Sequence, residues 1–341
     1  MCRAILHTLN CRRAFSALRI LTAVSASFLL MTAYSYASSY LLFLEAQGVI
    51  GYSSQPDKAI WYSKTEEDVM QKPSLGFDYI QKFSGETGDF GQLAIQARLA
   101  YDEYDENLEP QLYNAYFKYK YRGSDLWIGH NRPAMGLSSY FDSHGLLLNT
   151  LAMNGFGFDR DWGVGAYKDF SWGNAGISLT TGSGMPIYFK DNYLASARIS
   201  KGSLNQDNYN LGFSLSYGET LPTMGYELMM DAPELFAMAG ADAAYLWDNF
   251  EARFDVMAGK NRDEDAYALF GRFGVNLLEE GRMKLEIQPL VSRIGDDDNY
   301  EISLGTSYML NSDITLRAMY DYDHNTDDHK IIFQIYYYKK M

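Results

Sequence analysis

The chain of 341 residues carries 29 Lys and Arg against 43 Asp and Glu, a net charge of -14 with a pI near 4.8. That balance excludes an electrostatic nucleic-acid binder, which needs a basic footprint, and a mean hydropathy of -0.27 excludes a bundle of membrane helices. With 47% hydrophobic and 21% charged residues the chain is not disordered, and 28 Tyr with 29 Gly and only 8 Pro point toward strands.

Residues 1–37 differ from the rest. Arg3, Arg12, Arg13 and Arg19 lie in a stretch without acids, followed by the apolar run ILTAVSASFLLMTAY (20–34) and then Ser35, Tyr36 and Ala37. A basic start, an apolar centre and a small-x-small exit are a secretory signal peptide, with cleavage expected after Ala37. The run is too short, and too diluted by Ser and Thr, for a membrane anchor. Its removal takes four of the 29 basic residues, so 25 face 43 acidic ones and the balance deepens to -18. Cys2 and Cys11 leave with it, which excludes disulfides, Cys-ligated zinc and Cys nucleophiles in the mature chain.

From residue 38 onward the pattern is period-2 alternation in segments of about ten residues. Expected strands are 40–52, 74–83, 90–101, 111–121, 125–131, 161–170, 173–182 and 192–200. A second set follows at 209–218, 237–246, 249–259, 266–277, 282–293, 299–309, 313–322 and 329–338. In FEARFDVMA (250–258), Phe250, Ala252, Phe254, Val256 and Ala258 share one face, and Glu251, Arg253 and Asp255 the other. Leu93, Ile95, Ala97 and Leu99 alternate in the same way with Gln92, Gln96 and Arg98.

A soluble sandwich also alternates, but here charge falls at mid-strand on the polar face and aromatics gather at segment ends. Tyr113, Tyr119, Tyr121, Tyr300, Tyr308, Tyr320 and Tyr322 are examples. The expected fold is all-β: one transmembrane antiparallel β-barrel of about 16 strands over residues 38–341, with aromatic girdles. An even count puts both termini on one side and leaves no sheet edge in lipid. Short turns fall between even and odd strands, and longer or more acidic connections between odd and even ones. The longest, 132–160, is long enough to fold inward. The aromatic end of the chain, Tyr336 to Tyr338, is followed by three further residues, where such barrels commonly end on an aromatic.

In strand count, length and the place of its longest connection, the chain resembles the sixteen-stranded porins of Gram-negative outer membranes. WIGHNRPAMGLS (127–138) is similar to a segment of phosphate-selective porins at Gly129, Arg132, Pro133, Gly136 and Leu137, with Ser138 where that family has an acid. The resemblance implies that loop 132–160 folds into the barrel and sets the width of a channel. It also implies a homotrimer, with Gly- and Ala-rich outward positions near 195–212 and 237–244 for close packing.

Alternation turns Arg98, Lys118, Lys120, Arg198, Arg253, Arg272, Lys284 and Arg317 toward the lumen, with Glu251, Asp255, Glu286, Glu301 and Asp321 opposing them. The candidate pore-lining and constriction residues are Arg98, Lys118, Arg132, Asp142, Arg198, Arg253, Arg272 and Arg317. Fixed charges in a narrow pore bias which ions enter, because confined water focuses the field. The same charges could instead pair with one another and merely solvate the interior.

Catalysis is not expected: there is no GxSxG, HExxH or phosphate loop, and Asp142, Ser143 and His144 are adjacent residues that cannot form a triad alone. No metal site and no cofactor is implied. The expected function is a passive diffusion channel in the cell outer membrane, constricted by loop 132–160 and passing small hydrophilic solutes or ions. The alternative is a non-channel structural, receptor or adhesin-type barrel with a plugged lumen. Expected partners are outer-membrane lipid and lipopolysaccharide, and acids in the external connections suit divalent cations bridging to lipid headgroups.

Overall fold

The computed structural model describes residues 37–65, 71–86, 88–104, 106–137, 147 and 149–341. Apart from Ala37, the expected leader lies outside the described residues. Eight strands form the first half: β1 (Ala37–Ser53), β2 (Ser74–Gly85), β3 (Gly88–Asp102), β4 (Asn107–Tyr121), β5 (Ser124–Asn131), β6 (Asp161–Phe170), β7 (Gly173–Thr180) and β8 (Tyr193–Lys201). The second half contains β9 (Tyr209–Thr220), β10 (Glu234–Trp247), β11 (Phe250–Asn261), β12 (Glu264–Leu277), β13 (Met283–Ile294), β14 (Asp297–Met309), β15 (Ile314–Asp323) and β16 (Asp328–Lys340). Each expected segment is a strand, with ends displaced by no more than four residues.

All neighbours are antiparallel. β1 pairs with β2 from Ala37↔Ser84 to Gln47↔Ser74 and with β16 from Phe43↔Lys340 to Ser53↔Lys330, which closes the sheet. Closure satisfies every strand on both sides, the condition for a sheet surrounded by lipid. The connections on the side of the termini are short throughout. On the opposite side, 54–73, 132–160, 181–192 and 221–233 are long, whereas 262–263 and 295–296 are tight turns. The length asymmetry therefore belongs to the first ten strands.

The faces are inverted relative to a soluble protein. Leu75, Leu99, Ile128, Ile177, Leu211, Leu215, Leu269, Leu304 and Phe333 are exposed on the outside, while Gln96, Arg98, Ser196, Asp242, Arg272, Ser303 and Gln334 are buried inside. This apolar belt matches hydrocarbon rather than water. Aromatics flank it at both ends. On the side of the termini, Phe170 stacks on Trp172 at 5.0 Å and Trp247 lies 6.2 Å from Phe250. At the far end Tyr322 stacks on His329 at 4.7 Å.

Tyr113 is a correction to the girdle set. It is fully buried inside the barrel, with Arg160 stacked over its ring at 4.4 Å. A register shift between Gln96 and Ala97 accommodates one extra β4 residue here, and such a bulge re-aims a side chain that strict alternation would place on the other face.

Candidate functional site

The lumen is organised by the long connection after β5. Gly129 lies in the β5 ladder just before the connection, opposite Tyr116 and Gly163; its φ is +122°, and a Cβ there would lie 2.2 Å from the Ala115 carbonyl oxygen. Only glycine permits both. After Pro133 the chain turns down onto the inner wall at Gly136, where a Cβ would meet Met257 Cε at 2.7 Å and Asp255 Oδ2 at 2.8 Å. The next amide, Leu137 N–H, donates to Asp255 Oδ2 at 3.0 Å. Gly136 of the porin-like segment thus serves an inward-folding loop.

Two anchors hold the loop inside. Met135, Leu151 and Phe156 pack with inward-facing Leu194 (β8), Phe236 and Met238 (β10), Met257 (β11), Ala266, Ala268 and Phe270 (β12) and Leu290 (β13). Farther round the wall, Leu147 packs with Val49, Met319 and Ile332 of β1, β15 and β16. Between these apolar contacts, Asn149 is buried among polar groups. Its N–H donates to Gln288 Oε1 at 3.2 Å, and its Nδ2 lies 3.1 Å from Glu301 Oε2, 2.9 Å from Ser303 Oγ and 3.2 Å from Asp321 Oδ1. Lys64, from connection 54–73, pairs with Glu301 and donates to Asn154 Oδ1 at 2.6 Å. Two connections therefore brace one another against β13–β15.

The candidate charges divide into separate groups. Arg98 donates to Gln111 Oε1 at 2.8 Å and lies 3.8 Å from Glu45. Arg198 makes a bidentate contact with Asp242 at 2.9 and 2.5 Å and reaches Asn210 at 2.7 Å. Toward the side of the termini, Arg253 pairs with Glu251, Lys284 with Glu251 at 2.5 Å, and Arg272 with Glu286 at 2.5 Å. Arg253 and Arg272 are directly opposite across β11 and β12. Arg317 donates to Gln334 at 2.6 Å and lies over Tyr336 at 5.1 Å. Lys118 is 3.5 Å from Asp125. Arg132 is half-buried at the root of the loop. Asp142 lies outside the described residues.

Several residues at the mouth were not among the candidates. Arg160 joins Asp159 at 3.0 Å and Asn114 at 2.8 Å, and Tyr113 donates to Asp159 at 3.0 Å. Asp161 accepts from Gly182 N at 2.6 Å, Thr181 Oγ1 at 2.8 Å and Gly184 N at 3.1 Å, pinning connection 181–192. Tyr226, in connection 221–233, reaches across to β4 and accepts from Leu112 N–H at 2.7 Å. Burial pushes its phenol up to about 12, so it stays neutral. Turn-rich loops carry no periodicity, so the only available signal was the charge and aromatic content of Phe158-Asp159-Arg160-Asp161.

The chain is similar in structure to OmpF of Salmonella typhi in complex with daunomycin, at 12% identity and a TM-score of 0.68, covering 90% of this chain and 99% of that one. It is likewise similar to an anion-selective porin from Comamonas acidovorans, at 12% identity and a TM-score of 0.62, covering 89% of this chain and 100% of that one. A third is a loop-deletion form of OmpT, an outer membrane protein of Vibrio cholerae, at 11% identity and a TM-score of 0.60, with coverage of 89% and 100%. No protein-family model matches the sequence, and no curated protein is significantly similar to it. A closed sixteen-stranded barrel with an apolar belt between aromatic girdles is an outer-membrane barrel, and its fold is that of the Gram-negative porins.

Proposed function

We propose that the barrel is a passive diffusion channel for small hydrophilic solutes or ions, with loop 132–160 as its constriction. The observation that carries this reading is the docking of the loop on the inner wall by Phe156 on one side and Asn149 on another. An inward loop narrows a lumen without needing a separate plug domain. Arg98, Lys118, Arg132, Asp142, Arg198, Arg253, Arg272 and Arg317 are the proposed pore-lining set. At the end of the lumen near the termini, Arg253, Arg272, Lys284 and Arg317 face Glu251 and Glu286, while Asp255, Glu301 and Asp321, also on β11–β15, lie farther toward the mouth. This supports a local bias toward anions at that end only. Cleavage of a leader at 1–37, assembly as a homotrimer and contact with lipopolysaccharide belong to the same proposal.

Purified protein in planar bilayers should give discrete single-channel steps; persistent silence would sink this reading. Replacing Arg272 with Gln should move the reversal potential toward cation preference, and an unchanged value would remove that residue from the conducting path. The second reading, a barrel whose lumen is filled, draws on the depth at which Arg98, Arg198 and Arg272 are buried. The same recordings decide between the two.

A further inference from the structure

A cavity of about 370 Å³ opens at the rim of the barrel on the side away from the termini. Its volume falls within the range of small-molecule pockets, about 300–1,000 Å³. The wall is built from Glu234 on β10, Arg262 in the β11–β12 turn, Glu264 on β12, Ser292 on β13, and Asp297 and Asn299 on β14. Asn154 of the inward loop forms part of it, so the cavity touches the constriction element itself.

What separates this cavity from the rest of the lumen is the state of its charges. Elsewhere inward bases such as Arg198, Arg272 and Lys284 are matched to carboxylates at short distance. Here three carboxylates and one guanidinium surround a common space, and among the described residues none of the four forms an ion pair. Glu234 Oε2 is buried and meets no donor. Asn299 is oriented by donating its Nδ2 to Glu301 at 2.9 Å, which leaves its buried Oδ1 without a donor as well. Buried acceptors without partners are costly, and a ligand donor relieves them.

Arg262 supplies the opposite need. It also borders a second cavity of about 230 Å³, lined by Lys64, Asp159 and Arg160, and a Cβ on Gly155 of the loop would lie 3.7 Å from Arg262 Nη2. A simple anion entering the rim would meet three carboxylates, whereas a simple cation would pair with the acids and leave Arg262 without an anion. The acids do not converge into a metal-binding group among the described residues. A solute with both charges finds an acid for its ammonium and Arg262 for its carboxylate.

We infer that the rim cavity binds a small zwitterion, an α-amino acid or short peptide, with its ammonium on Glu234 and Asn299 and its carboxylate on Arg262. The inference rests on the channel reading for its part in transport, and it names the solute class that the mouth would concentrate above the constriction.

Calorimetric titration of the full, detergent-folded barrel at pH 7 tests it with glycylglycine, using ethanolamine and acetate as the single-charge counterparts. Glycylglycine should bind, and the other two at least roughly tenfold more weakly. Glu234→Gln and Arg262→Ala should each weaken glycylglycine binding by roughly tenfold, whereas Arg262→Lys keeps most of it. Gel migration with and without heating confirms that each variant is folded. Equal binding of ethanolamine with an indifferent Arg262→Ala would overturn the zwitterion assignment. A barrel that conducts but binds no glycylglycine would refute the subsite and leave the channel standing; one that binds but never conducts would do the reverse.

Discussion

Loop 132–160 meets the barrel wall in two chemically different ways. Phe156 and Met135 lie in an apolar patch built by β8 and β10–β13, whereas Asn149 sits among Gln288, Glu301, Ser303 and Asp321 on β13–β15. The apolar patch is non-directional and tolerates small shifts, with stabilisation that scales with buried area. The polar anchor is directional, since one amide serves three oxygens and fixes where the loop crosses. Position and strength are therefore divided between the two sides.

The largest expected effect comes from the apolar side. Phe156 is 1% exposed, and Phe156→Ala should weaken docking of the loop by about 3–5 kcal/mol through lost burial and a residual cavity. Single-channel conductance should rise, and protease added to the folded barrel should cut within 132–160. Phe156→Leu should show both effects in milder form. Unchanged conductance and protease resistance in the Ala variant would mean that the polar side alone is sufficient.

On the polar side, Asn149→Ala leaves Glu301 and Asp321 without their shared amide donor, at a cost of about 1–3 kcal/mol. Because the apolar anchor survives, the loop should stay inside while its crossing point wanders. The expected readout is noisier open-channel current with nearly the same mean conductance. Asn149→Asp should be worse than Ala, since it puts a third carboxylate beside two others. If both variants behave like the natural protein, the amide does not set the position of the loop.

The same contrast explains what could be read from the sequence. Strands such as 250–258 alternate so regularly that span, face and the inward direction of Glu251, Arg253 and Asp255 were all legible. Met238, Met257, Phe270 and Leu290 are inward too, yet they are apolar, so a rule that turns polar residues inward cannot find the loop-binding patch. Cross-strand partners were equally hidden. Arg198 finds Asp242 only because β8, β9 and β10 lie in a particular register, and a single-residue slip would send either side chain to the lipid face. Asn149 has no local signature at all, because its partners lie between 139 and 172 positions away.

A third anchor tests the lower end of the scale. Lys190 of connection 181–192 holds Asp231 of connection 221–233 at 2.8 Å, with both side chains open to water. The Lys190 ammonium, through its hydrogen bond and its charge, holds the Asp231 carboxyl below its ordinary value. A depressed carboxyl contributes its tie above the ordinary carboxylate range and loses it as pH falls through the lowered value. The pair should therefore be intact from pH 5 to 8 and lost only in stronger acid. Exposed pairs are screened by salt and give up side-chain entropy to form, so Lys190→Ala should leave the unfolding temperature unchanged across pH 5–8. If it instead lowered that temperature and altered conductance, the external connections would carry a share of the restraint assigned here to Phe156 and Asn149. The two-sided account of the loop would then have to include the lids above it.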